Sequence, residues 1–347
     1  MKRNSVYVVL LIVIFLFEAI CFVCLNQRSA EKKNLYSCYF NDFDKSVVFG
    51  KKAINSNKRN PLYKLNLSCL YAKNDAMTSN IFKTLFQGDT LSFSDSPIIN
   101  ELLKDAYFSS PQEPIFALNY SLIKMIQGET ATAQTILDPF AKEAFSTREI
   151  LLVEGILKEL NGNRMDASYY YSNAIARFTD ITESGFWEDL RKRDPDLASQ
   201  SFKDALERMV SLYNDENDPI IAAKLGKLYF SNGEVDKAQS LIEYALQELP
   251  TLNRCWYYLG CIKEKMGDKD LALKYFSKSY ELDDTDVIPL KKLVDCKVYD
   301  KQKMEYLLQN TGSYQIYRLG KIYGGNSILQ PYIISDLEEY FSPCISD

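Results

Sequence analysis

Between Pro114 and Asp284 the apolar positions fall every three or four residues, in stretches that glycines and polar turns interrupt. That is the period at which one face of an α-helix repeats, not the alternation of a half-buried strand. Two stretches nearly coincide. Leu225–Ala238 reads LGKLYFSNGEVDKA, and thirty-four residues on Leu259–Ala272 reads LGCIKEKMGDKDLA. In each, a first helix runs to a turn glycine, Gly233 or Gly267, and a second helix follows. Gly suits that place because a helix ends most readily on a residue with positive φ. The frame extends backward through Glu154–Ala167, with Gly155, Gly162 and Ala167, and Tyr120–Ala133, with Gly128 and Ala133. It predicts helix hairpins at 114–147, 148–181, 219–252 and 253–286. The stretch 182–218 is predicted as a degenerate unit: Phe186, Trp187 and Leu190 suggest a short first helix, and Ser201–Val210 a second.

The flanks carry weaker signals. The segment 34–113 is expected to hold degenerate hairpins with an irregular loop near 87–98. The segment 287–347 is expected to cap the array with further hairpins, and Tyr317–Asn326 (YRLGKIYGGN) echoes Ala223–Asn232 (AKLGKLYFSN) out of register. At the amino terminus, Val6–Leu25 is apolar except for Glu18 and follows Lys2 and Arg3. A membrane helix needs about 20 such residues. Residues 1–33 therefore read as a short tail and a transmembrane anchor, and a cleaved signal peptide is the alternative. Arg28, Lys32 and Lys33 nearly balance the leading charges. A short tail before a long domain suits a signal anchor, which would place the body outside the cytoplasm, in the periplasm of a bacterium.

Within the frame, Ala222, Leu225, Gly226, Tyr229, Ala238, Ile242, Ala245 and Pro250 recur as Trp256, Leu259, Gly260, Ala272 and Phe276, with Lys263 and Asp284 where Tyr and Pro would stand. This resembles the tetratricopeptide repeat, whose period is 34. The resemblance implies an all-α fold: a right-handed superhelical solenoid of antiparallel helix hairpins, here preceded by one transmembrane helix. It also implies that the first helices line a concave groove holding a partner peptide or helix. Carried over position by position, the groove would present Ile115, Leu118, Leu122 and Met125 from the first unit and Leu152 and Ile156 from the second. Lys227, Arg254, Tyr257 and Lys265 would follow from the later units. The first set would form an apolar wall for an amphipathic helix or extended apolar peptide, unless another part of the chain, such as 87–112, covers it. The second set would suit an acidic or carboxylate-bearing segment, or else be a solvated face. The Lys-x3-Asn pair of chaperone-binding relatives is missing: the matching positions hold Leu118/Leu122, Leu152/Ile156, Ala223/Lys227 and Tyr257/Cys261.

Composition narrows the chemistry. The chain has no histidine, which removes Ser-His-Asp and Cys-His catalysis and any imidazole metal ligand. Its net charge is −5, and the part after residue 33 holds 36 basic against 44 acidic side chains. Such a body argues against nucleic acid as a partner. No Gly-rich phosphate loop or nucleophile motif is present, and no cofactor is implied. The carboxylate runs Asn214–Asp218 and Asp283–Asp286 read as turns and helix caps, with weak cation binding as the alternative. Cys38, Cys69, Cys255, Cys261, Cys296 and Cys344 are scattered and read as buried thiols. Asn66 and Asn119 head glycosylation sequons, which matter only in a glycosylating host. The expected function is a non-enzymatic, membrane-anchored interaction scaffold for a protein or peptide partner. The alternatives are an accessory subunit of an envelope polysaccharide or peptidoglycan enzyme, for which Glu149, Glu159 and Glu264 are the groove acids on offer, and a secreted binding module with a cleaved leader.

Overall fold

A computed structural model describes residues 29–34, 42–304 and 331–343. The apolar leader and the echo at 317–326 lie outside these residues. Among the described residues no helix is long and apolar enough to cross a membrane. They are helical repeats with no strand, apart from one isolated bridge between Ser184 and Pro343. They divide into two compact units. The first comprises 29–34, 42–137 and 331–335; the second comprises 138–304 and 336–343.

The first unit holds α1 (Phe43–Ser56), α2 (Pro61–Asn74), α3 (Asn80–Phe86), α4 (Ser96–Ser109), α5 (Pro114–Ile126) and the start of α6 (Thr130–Ala141). The boundary between the units falls inside α6, just before its internal proline, Pro139. Helix α1 packs on α2, α2 on α4 and α4 on α5. Helix α2 is buried around most of its circumference, so its polar residues need partners. Asn66 donates to Asn34 at 2.9 Å, and Lys64 reaches Asp105 at 3.6 Å. Both sequon asparagines, Asn66 and Asn119, are buried, and neither is open to a glycan in the folded chain. The predicted loop near 87–98 ends earlier than expected. Helix α4 begins at Ser96, because Pro97 sits in its first turn, where a missing N–H costs nothing.

The second unit holds α7 (Arg148–Leu160), α8 (Arg164–Arg177), a 3-10 turn (Thr179–Glu183), α9 (Gly185–Arg193), α10 (Pro195–Glu216), α11 (Pro219–Ser231), α12 (Val235–Glu248), α13 (Asn253–Lys265), α14 (Lys269–Leu282), α15 (Val287–Asp295) and the short α16 (Leu337–Phe341). Helices α7/α8, α11/α12 and α13/α14 form paired hairpins, and successive pairs touch through α8 on α10, α10 on α11 and α12 on α13. The stretch predicted as degenerate forms a 9-residue α9 and a 22-residue α10 joined through Asp194. Asp194 caps α10 by accepting from Leu197 N at 3.1 Å, with Pro195 in the first turn. The acidic runs cap helices in the same way. Asp218 accepts from Ile220 N and Ile221 N at 2.7 and 3.1 Å, and Asp286 accepts from Ile288 N at 3.0 Å. Of the cysteines described, Cys69, Cys255 and Cys261 are buried and Cys296 is exposed.

What lets the two helices of a hairpin approach is a missing side chain. A Cβ on Gly155 would lie 2.3 Å from the Tyr171 ring, and one on Gly260 would lie 2.5 Å from the Phe276 ring. At Gly226 it would lie 2.7 Å from the Ile242 side chain and 3.2 Å from the Ala238 carbonyl oxygen. In all three the partner stands sixteen residues later, so one contact recurs in three hairpins. The contact at Gly226 is the least forgiving, because backbone cannot swing aside as a ring can. Gly226→Ala gains about 1 kcal/mol of helix propensity but overpacks a backbone contact at a cost of about 2–3 kcal/mol. We expect a net loss of about 1–2 kcal/mol in denaturant unfolding, with Gly185→Ala, where the nearest atom is 3.4 Å away, close to neutral. A Gly226→Ala protein as stable as the parent would rule out this close approach.

Candidate partner-binding face

The residues read as an open apolar wall are buried. In the first unit Ile115, Leu118, Leu122 and Met125 on α5 are all shielded from solvent. Helix α4, from the stretch proposed as a cover, packs beside α5 as its preceding neighbour. A second element not foreseen from the sequence also meets α5: the bent segment Pro331–Ser335. Asn119, 0 % exposed, donates to Pro331 O at 2.9 Å and accepts from Ile333 N at 2.8 Å. Ser335 N donates to Met77 O at 2.9 Å. Tyr332, Ile333 and Ile334 are buried.

In the second unit, Leu152 and Ile156 on α7 are likewise buried, and α16 packs on α7 and α9. Its Phe341 ring stands edge-on to Phe186 at 5.6 Å, and Tyr340 donates to Asp189 at 3.1 Å. These six apolar candidates are therefore core positions and not free contact points. An apolar face of this size is not left to water when the chain can cover it.

The basic set is also engaged, with one exception. Lys227, only 2 % exposed, ion-pairs with Glu183 of the 3-10 turn and lies 4.6 Å above the Tyr258 ring. Burial pushes its ammonium pKa down, and Glu183 opposes that. Arg254 Nε meets Asp286 at 2.7 Å. Tyr257 is half-buried against Phe276, and burial raises its phenol above the usual range. Lys265 is exposed, sits 4.1 Å from the Phe230 ring and makes no ion pair among the described residues. A single acidic segment therefore cannot be held by all four side chains. Two of the cations already have carboxylates of their own.

Among the open clefts of the second unit, one of about 570 Å³ lies beside Lys265. The 3-10 turn, α9, α10, α11 and the end of α13 line it. Trp187, Phe202 and Phe230 give it aromatic walls, with the Trp187 and Phe202 rings 6.2 Å apart. Arg191 stands exposed in its lining and, like Lys265, forms no ion pair among the described residues. Arg191, Trp187 and Phe202 escaped the sequence reading because the degenerate unit does not match the repeat frame. The clustering of Phe186, Trp187 and Leu190 was the available signal.

The acids offered for catalysis do not face one another. Glu149 lies 3.4 Å from Arg148. Glu159 takes a two-pronged contact from Arg193 at 2.9 and 3.1 Å and accepts from the Tyr171 hydroxyl at 2.8 Å. Glu264 pairs with Lys292 at 2.6 Å. A different acid is perturbed. Glu154 on α7 is 0 % exposed, and neither of its carboxylate oxygens accepts a hydrogen bond. Lys158 lies 3.5 Å away. Burial, with help from nearby Asp138, raises the Glu154 pKa to about 7 against that attraction.

No family model matches the chain, and no curated protein matches its sequence. Among solved structures it is similar to a tetratricopeptide repeat protein from Parabacteroides merdae ATCC 43184, at 18 % identity over 81 % of this chain and 98 % of that one, with a TM-score of 0.37. It is similar also to Pseudomonas aeruginosa pilF, at 11 % identity over 79 % and 99 %, with a TM-score of 0.34. A third is YrrB, a TPR protein with an unusual peptide-binding site, at 12 % identity over 70 % and 95 %, with a TM-score of 0.27. At these identities and scores the likenesses carry nothing about ligand or activity.

Glu154 makes stability depend on pH. Its folded pKa lies above the unfolded value near 4.5, so the folded state binds the extra proton between those values. Stability should therefore fall as pH rises from about 4.5 through 7 and above, by about 3 kcal/mol from this group. Glu154→Gln should flatten that part of the profile and raise stability at pH 8, read by chemical denaturation at several pH values. An unchanged slope in the variant would show that Glu154 is ionised without penalty.

Proposed function

We propose that the chain is a non-catalytic interaction scaffold, held at a membrane by residues 6–25 with its helical repeats outside the cytoplasm. Its open docking surface is the aromatic cleft of the second unit. The observation that carries this reading is a pair of cations, Arg191 and Lys265, that form no ion pair among the described residues and stand beside Trp187, Phe202 and Phe230 in a cleft the described residues leave open. Aromatic walls supply buried area at little entropic cost, and free cations supply directional attraction. The partner that fits is a peptide segment bearing one aromatic side chain flanked by carboxylates. Stacked helix hairpins with no acid pair support a binding role over a hydrolytic one, since each groove acid is already tied to a cation. The repeat resemblance points the same way, because such hairpins hold peptides in the family.

Peptides selected by display against the full chain are expected to be rich in Asp, Glu and aromatic residues. Reversing both charges, Arg191→Glu with Lys265→Glu, should weaken the selected peptides by at least ~10-fold and remove most of the salt dependence of binding. Both side chains are exposed, so the fold should survive. Selected peptides that bind the double variant as tightly as the parent would sink the assignment of this cleft. For the membrane, full-length protein should stay with vesicles through alkaline extraction and a form lacking residues 1–33 should not. Release of both would contradict the anchor.

A further inference from the structure

Asn119 sits at the centre of α5 with no exposed surface, an expensive place for a carboxamide. Each hydrogen bond drawn to it runs to main chain. Its Nδ2 donates to Ile115 O of its own helix at 2.8 Å and to Pro331 O at 2.9 Å, and its Oδ1 accepts from Ile333 N at 2.8 Å. A carbonyl at one residue and an N–H two residues on are the groups that an extended strand offers along one edge. The Asn119 side chain bridges that same pair of groups on a segment that bends at each of residues 331–334, and it reads backbone rather than sequence. The segment it holds has no regular secondary structure and lies 212 residues away along the chain. Ser335 N closes the contact on Met77 O, while Tyr332, Ile333 and Ile334 are buried. Without that segment, Asn119 would keep a buried donor and acceptor unsatisfied. Backbone capture with apolar side chains in pockets is how extended peptides are bound.

We propose that the Asn119 face of the first unit is a binding site for a short apolar peptide held by its backbone, and that residues 331–335 of the same chain occupy it as a displaceable ligand. The site is separate from the cleft proposed above and stands or falls without it. A tethered segment competes at an effective concentration on the order of millimolar, so an outside peptide must outbind it or arrive when it is released.

The test uses the full chain. By native-state hydrogen exchange, the Ile333 and Ser335 amides should exchange at least ~10-fold faster than amides in the middle of α5, because a ligand leaves before its receptor unfolds. A fluorescein-labelled peptide with the sequence of residues 331–337 should bind the parent weakly. It should bind Ile333→Ser/Ile334→Ser, whose own segment is weakened, at least ~10-fold more tightly. Adding Asn119→Ala to that variant should abolish the gain. The proposal is overturned if Ile333 is protected as strongly as α5. It is equally overturned if the serine variant stays helical by circular dichroism yet binds the peptide no better, or if Asn119→Ala leaves the gain intact. Loss of the helical signal in the serine variant would also overturn it, by showing the segment to be core.

Discussion

Two helices can lie as close as those in these hairpins only where one of them gives up a side chain. Gly155, Gly226 and Gly260 do so, and Tyr171, Ile242 and Phe276 occupy the space released. Much follows from that contact. It fixes the depth at which the second helix sits on the first, and hence which residues of the first helix face the next pair. Ala238, Ala245 and Ile242 then join Leu259 and Ile262 in one apolar cluster that no single hairpin could close. A lone pair would leave those faces in water, so the hairpins stack. The turn glycines serve the same end: Gly128, Gly162, Gly233 and Gly267 adopt φ between +76° and +85°, where a side chain would be strained.

Stacking solves the burial of the inner faces and leaves the outer ones. The chain treats the two groups of first helices differently. On α5 and α7 the apolar positions are sealed within the protein, and residues from the carboxy-terminal part contribute to the seal in each unit. At α11 and α13 the charged positions are neutralised instead, Lys227 by Glu183 and Arg254 by Asp286. A buried lysine stripped of its carboxylate would be far costlier than the pair is beneficial, which is reason enough for Glu183 to stay beside it. Arg191 and Lys265, which line one aromatic cleft, are paired with no carboxylate among the described residues.

The hairpins themselves were readable from residue spacing, because the constraint that makes them is local. A glycine, its packing partner sixteen residues on and a turn glycine between them all fall within one repeat. Contacts between distant parts of the chain are not local, and residue spacing does not carry them, for physical reasons that can be named. Helical period placed Leu118, Leu122, Leu152 and Ile156 on one side of their helices, but period says nothing about what lies opposite. Residues 331–341 follow no repeat, so nothing marked Tyr332 to Ile334 or Phe341 as their companions. Lys227 was read as a groove cation because its partner, Glu183, belongs to a 3-10 turn that the frame does not contain. The cleft of Trp187, Phe202 and Arg191 was passed over for the same reason.

Thiol accessibility decides most directly whether the apolar faces are closed and the Lys265 side is open. Single cysteines would be placed at Leu122 and at Ser231 in the full chain, and their alkylation followed by mass spectrometry under native conditions. The arrangement described requires position 231 to react at about the rate of the exposed Cys296 and position 122 to stay as protected as the buried Cys255 and Cys261. Rapid labelling at 122 in a folded protein would mean that the first repeats present an open wall after all, and the account would be wrong at its centre.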